Sequence, residues 1–90
     1  MPLFALICTD KPDSLELRLA NRPAHRAYLD GQSNIAFAGP FLRDGQMCGS
    51  LIVIEVPDRA AAEAFAAADP FAQAGLFSET RIEEWQKVVG

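Results

Sequence analysis

Residues 35–56 read IAFAGPFLRDGQMCGSLIVIEV, and this stretch decides the architecture. Ser50–Val56 is dominated by β-branched residues and Ile35–Phe41 carries Ile35, Phe37 and Phe41, side chains that suit a pleated, half-buried surface. Between them lies Arg43-Asp44-Gly45-Gln46, whose Asp-Gly pair tolerates the positive backbone angles of a tight hairpin turn. The stretch therefore reads as an antiparallel hairpin. Both of its strands still need partners, because an isolated two-stranded hairpin is marginal in water.

Those partners lie outward on either side. Upstream, residues 2–8 (PLFALIC) form an apolar run too short for a helix and bounded by Asp10 and Pro12, as expected of a buried strand. Asp13, followed three positions later by Glu16, approximates a capping box and opens a helical segment toward Leu29. Pro23 falls within that segment. Either the helix kinks there, or one helix ends near Ala20 and a second opens with Pro23 at its first position. Asp30-Gly31 closes the segment, glycine being the usual left-handed terminal residue. Downstream, Asp58 caps an alanine-rich helix running to about Ala68, and Asp69-Pro70 ends it. A short turn over Phe71–Gly75 leads to a last strand around Glu79–Lys87. The order is β-α-β-β-α-β in one α+β domain spanning residues 1–90, a ferredoxin-like pattern with both helices on one face of a four-stranded antiparallel sheet.

That arrangement leaves the other face open. Strand one offers Leu3, Ala5 and Ile7 to one side and Phe4, Leu6 and Cys8 to the other. Strand three likewise offers Leu51 and Val53 against Ile52, Ile54 and Val56. Two apolar faces imply that both are covered. Ninety residues hold nothing further to cover the second, so a homodimer packed sheet to sheet is expected.

Composition excludes several functions. Twelve acidic against eight basic residues give a net charge of −4, which opposes nucleic acid and anionic membranes as partners. No apolar run approaches the roughly 20 residues that span a bilayer, and Leu3–Cys8 is too short for a secretory signal. Cys8 and Cys48 show no metal-like or redox-like spacing, so reduced thiols and a cytoplasmic location are expected. With a single histidine, and no phosphate loop, Cys/His cluster or dinucleotide fingerprint, neither a metal nor a cofactor is expected.

The residues able to carry chemistry concentrate in the first helical segment. Arg18, Arg22 and His25 are spaced i, i+4, i+7 on one stripe, with Arg26 slightly aside. Arginines suit bidentate recognition of an anion, although such a stripe also serves as a solvated face. His25 is the only side chain that ordinarily titrates near neutrality, so it is either a general base or a structural imidazole. Asp69 at the end of the alanine helix opposes the dipole there, yet Asp before Pro is also a good cap for the turn that follows; local chemistry favours the cap. Asp10 could orient a ligand or cap the first helix. Phe37, Phe41, Phe71, Phe77 and Trp85 lack an RNA-stacking signature and read as core and interface.

Taken in order, Asp10-Lys11, Asp13-Ser14-Leu15-Glu16, Arg18-Leu19, Arg22-Pro23-Ala24-His25, Ala38-Gly39-Pro40, Gly49-Ser50, Ala68-Asp69-Pro70-Phe71 and Ala74-Gly75 resemble the YciI-like family across essentially the whole chain. The resemblance implies a ferredoxin-like dimer of the dimeric α/β-barrel type. It also implies a His/Asp site carried by His25 and Asp69, which reverses the local preference for Asp69 as a cap alone. Family position adds Ser50 and Asp10 to Arg22 and Arg18 as pocket residues for a small-molecule ligand. The family is similar to small lyases and isomerases acting on ring-cleavage products, and one branch resembles a dehydrochlorinase of chlorinated hydroxyquinols. The expectation is thus a metal-independent lyase or isomerase. A metabolite-binding module without turnover is the alternative. The 41–49 connection is shorter here than in many relatives, so the substrate does not transfer with the resemblance.

Overall fold

The computed structural model describes residues 1–90, with elements β1 (Leu3–Asp10), α1 (Leu15–Asp30), β2 (Ile35–Arg43), β3 (Gln46–Glu55), α2 (Arg59–Ala68), α3 (Pro70–Gln73) and β4 (Phe77–Trp85). The four strands form one antiparallel sheet in the order β2-β3-β1-β4. This is the ferredoxin-like arrangement that the hairpin and its flanking segments predict. Asp44 and Gly45, at φ 52° and 78°, make the hairpin turn. The paired region is longer than its most β-prone residues indicate, reaching Arg43 and Gln46.

Period-two alternation sets what the helices cover. Phe4, Leu6 and Cys8 of β1, Ile52 and Ile54 of β3 and Ile82 of β4 join Val56, Ala62 and Phe65 in the core. On the opposite face Phe37 and Trp85 remain 45% and 40% exposed. Their rings meet edge-on at 6.0 Å, although two strands separate β2 from β4. Val53 and Ala5 continue the Phe37 register row toward Glu83, with Trp85 two residues further along β4, and both are buried. Gly49 permits a close approach on the same face. A Cβ there would lie 2.4 Å from the Cys8 carbonyl oxygen, so no other residue fits without moving the β1–β3 ladder.

Several local expectations are corrected. α1 is one continuous helix of 16 residues with Pro23 inside it. Pro23 and Leu19 both lie on its exposed side, so water can take the Leu19 carbonyl that Pro23 leaves without a donor. The capping box does not form: Ser14 is the N-cap residue and makes no side-chain cap. Its hydroxyl instead donates to the Pro12 carbonyl, and Asp13 is diverted into the left-handed region at φ 55°. Gly31 ends α1 in a right-handed conformation (φ −80°). The turn after Asp69 is a helical turn, α3, and β4 begins at Phe77, two residues before the expected start. Asp58 does cap α2, accepting the Ala61 N–H at 2.9 Å.

Candidate functional site

α1 projects Arg18 and His25 inward, two turns apart, and both are buried. A guanidinium that is only 2% exposed must find partners, since an unpaired buried charge is costly. Arg18 finds three. Its Nε donates to Asp10 Oδ2 at 2.7 Å, and its Nη2 donates to Asp10 Oδ1 and to Ser50 Oγ, each at 2.9 Å. The two bonds to Asp10 form the bidentate fork that arginine geometry favours. The Arg18 guanidinium carbon also lies 4.6 Å from the centre of the Phe71 ring.

His25 is organised from the opposite side. Its Nδ1 lies 2.8 Å from Asp69 Oδ1, an oxygen that also accepts the Phe71 N–H at 2.9 Å. Because a carboxylate only accepts, Nδ1 carries the proton and donates it, so in the neutral imidazole the lone pair lies on Nε2. No protein group bonds Nε2, and it is not sealed from solvent. The Asp69 cap expected from local chemistry therefore forms, and the same oxygen that caps α3 holds the imidazole. The dipole conflict at the end of α2 is relieved by the same geometry: Asp69 is extended (φ −62°, ψ 127°) and begins α3 as it ends α2.

A cavity of about 420 Å³ opens between α1 and the β2–β3 side of the sheet. Arg18, Arg22, His25, Arg26 and Ser50 line it together with the apolar Leu29, Ile35, Ile52 and Phe71. Ala38, Gly39 and Pro40 form the β2 side, their small or compact side chains leaving space beneath the helix. Pro40 is tolerated because β2 is an edge strand.

The sequence candidates thus take different positions. His25, Arg22, Arg18 and Ser50 line this cavity, whereas Asp69 and Asp10 do not. Asp69 stands behind His25, and Asp10 stands behind Arg18 and opens on a second hollow between the β1–α1 loop and the β2–β3 hairpin. Arg18 already has Asp10 as its counter-charge, while Arg22 has no carboxylate within ion-pair distance. Arg26, which the sequence places slightly aside from the stripe, lines the cavity one turn after Arg22. One contributor escapes the sequence reading. Phe71 stacks on His25 with centroids 4.0 Å apart and planes 16° from parallel, and no local signal marks that contact.

The remaining titratable groups nearby are structural. Burial pushes the Cys8 thiol up to about 11, so it packs as a neutral group and is a poor nucleophile. Tyr28 is also raised, first by burial and then by the charge of Asp69. Its hydroxyl donates to the Phe65 carbonyl.

A model of the YCII-related domain matches residues 2–86. The chain belongs to the YCII-related family. Protein YciI of Escherichia coli O6:H1 is 33% identical to it over 96 aligned positions, covering 96% of this chain and 98% of that protein. Among solved structures, the YCII-related chain is similar to 5-chloro-2-hydroxyhydroquinone dehydrochlorinase from Burkholderia phenoliruptrix AC1100, in complex with 2,5-dihydroxybenzoquinone. The TM-score is 0.89 at 36% identity, over 93% of each chain. An antibiotic biosynthesis monooxygenase shares the fold alone, with a TM-score of 0.61 at 15% identity over 99% of this chain and 100% of that one.

Proposed function

We propose that this YCII-related chain is a small-molecule enzyme of the lyase or isomerase class, with His25 as general base. One observation carries the reading: Nδ1 is held by Asp69 while Nε2 is left free on a residue lining a cavity. A base in that state can take a proton from a carbon beside a carbonyl or from a ring hydroxyl. A pair left on carbon delocalises onto the carbonyl oxygen, and a pair left on a ring hydroxyl oxygen delocalises onto the ring carbons. It then either recaptures a proton at another carbon, which is isomerisation, or expels a neighbouring leaving group such as chloride, which is elimination. Arg22 would steady the negative oxygen, Ser50 would offer a hydroxyl held by Arg18, and Asp69 would stabilise the imidazolium. No step requires a metal or cofactor.

The dehydrochlorinase neighbour supports a hydroxylated ring as the substrate class, and single-ring ligands suit a cavity of this size. The exposed rings of Phe37 and Trp85 support a homodimer through the open sheet face. No helix is long and apolar enough to cross a membrane, and the free cysteines fit the reducing cytoplasm.

The test is turnover of a panel of chlorinated and unchlorinated hydroxyquinols, including 5-chloro-2-hydroxyhydroquinone, by the wild type and His25→Gln. Loss of at least about 10²-fold in the variant supports the base. Saturable binding without product, unchanged by the substitution, would replace the enzyme with a metabolite-binding module.

A further inference from the structure

We propose that Arg22 and Arg26 form a two-arginine clamp for a carboxylate, so that this chain's ligand is a ring or short unsaturated acid bearing a carboxylate group. The inference rests on the cavity being the ligand site and adds a charge requirement to it. Of the six arginines, Arg18, Arg59 and Arg81 have carboxylate partners, and Arg43 ends β2 at the hairpin tip. The two others without a carboxylate partner, Arg22 and Arg26, both line the cavity and bracket His25 along α1.

Their placement works against the helix. Like charges at i, i+4 repel across one turn and destabilise a helix by a few tenths of a kcal/mol. Asp30, one turn further and also on the cavity wall, forms no ion pair with Arg26. The protein as a whole carries −4, yet this wall presents two uncompensated guanidiniums. A planar carboxylate is the group that arginine forks match in shape and charge. The apolar lining residues Leu29, Ile35, Ile52 and Phe71 then accept the apolar body of the same molecule.

The matched probes are 2,5-dihydroxybenzoate and 1,4-dihydroxybenzene, which share a ring and two hydroxyls and differ by the carboxylate. Isothermal titration of the full chain should show the benzoate binding at least about tenfold tighter. That preference should shrink as sodium chloride rises from about 50 to 500 mM, because both arginines are exposed. Arg26→Gln should lose part of the preference, and Arg22→Gln with Arg26→Gln should lose it all. Equal affinities, no measurable binding of the benzoate, or a preference that survives in the double variant would each overturn the clamp. If the two probes bind alike while turnover still disappears in His25→Gln, the clamp alone falls. If the preference holds and no hydroxyquinol is turned over, the clamp stands and the hydroxyquinol substrate class falls.

Discussion

The ring of Phe71 lies 4.0 Å from the imidazole of His25 and within 16° of parallel to it, while the Phe71 backbone N–H donates to the oxygen of Asp69 that holds the imidazole. One residue thus restrains the imidazole face through its ring and the carboxylate through its backbone. The Arg18 guanidinium lies against the same ring, so both buried side chains of α1 are located by a residue of α3.

Phe71→Leu keeps an apolar group in the core and the backbone donor to Asp69, and removes only the flat surface. It should cost about 1–2 kcal/mol of stability, read by denaturant unfolding. The imidazole should reorient more freely, seen as broadened His25 ring signals in NMR. Unchanged ring signals in a destabilised variant would reduce Phe71 to a packing residue.

Asp69→Asn should separate hydrogen bonding from charge. One oxygen takes both bonds, so an amide oxygen in its place still accepts from the Phe71 N–H and from Nδ1, and stability should change by less than about 1 kcal/mol. The tautomer is kept, while the negative charge that would stabilise the imidazolium is lost. Turnover should fall by about 10²–10⁴-fold while the nitrogen chemical shifts of His25 still place the proton on Nδ1. Undiminished turnover would detach the Asp69 charge from the base.

Arg18→Met should be far more damaging than its distance from any chemistry implies. It strands the Asp10 carboxylate, whose side chain is 6% exposed, at a cost of about 3–5 kcal/mol. Combining it with Asp10→Asn removes the stranded charge and should recover part of that loss. A double variant no more stable than Arg18→Met alone would show that packing against Phe71, rather than charge pairing, is what Arg18 contributes.

Alkaline stability should depend on Cys8. Its thiol is raised from 9.0 to about 11 by burial, so the folded state holds a proton that the unfolded chain releases. Stability is therefore fully present below pH 9 and declines as pH rises toward 11, by about 2 kcal/mol at the upper end. Tyr28, raised in the same direction, adds to the decline. Cys8→Ala should flatten the pH 9–11 slope in urea titrations, and an identical slope would remove Cys8 as its source.

The hairpin, the strand-helix order and the two apolar sheet faces were legible in residues 35–56 and their flanks, because side-chain alternation and turn chemistry act over a few neighbouring positions. Helix ends were less legible. Asp13 lost the cap to Ser14, and Pro23 remained inside α1, since the balance of local strain against tertiary packing is not written in any short window.

Helical spacing likewise determined that Arg18, Arg22 and His25 share a stripe, and the chemistry of Asp-Pro determined that Asp69 caps a turn. Only the tertiary structure decided which of the cavity-lining arginines meets a counter-ion. Arg18 is consumed by Asp10 and Ser50, brought to it by β1 and β3, whereas Arg22 and Arg26 are left without one. His25 and Asp69 meet across 44 positions because α1 and α3 pack on the same side of the sheet, and Phe71 fills the space between those elements. Residue type and spacing dictate what a side chain can do; which partner it finds depends on chain segments far apart in sequence, and only packing brings those together.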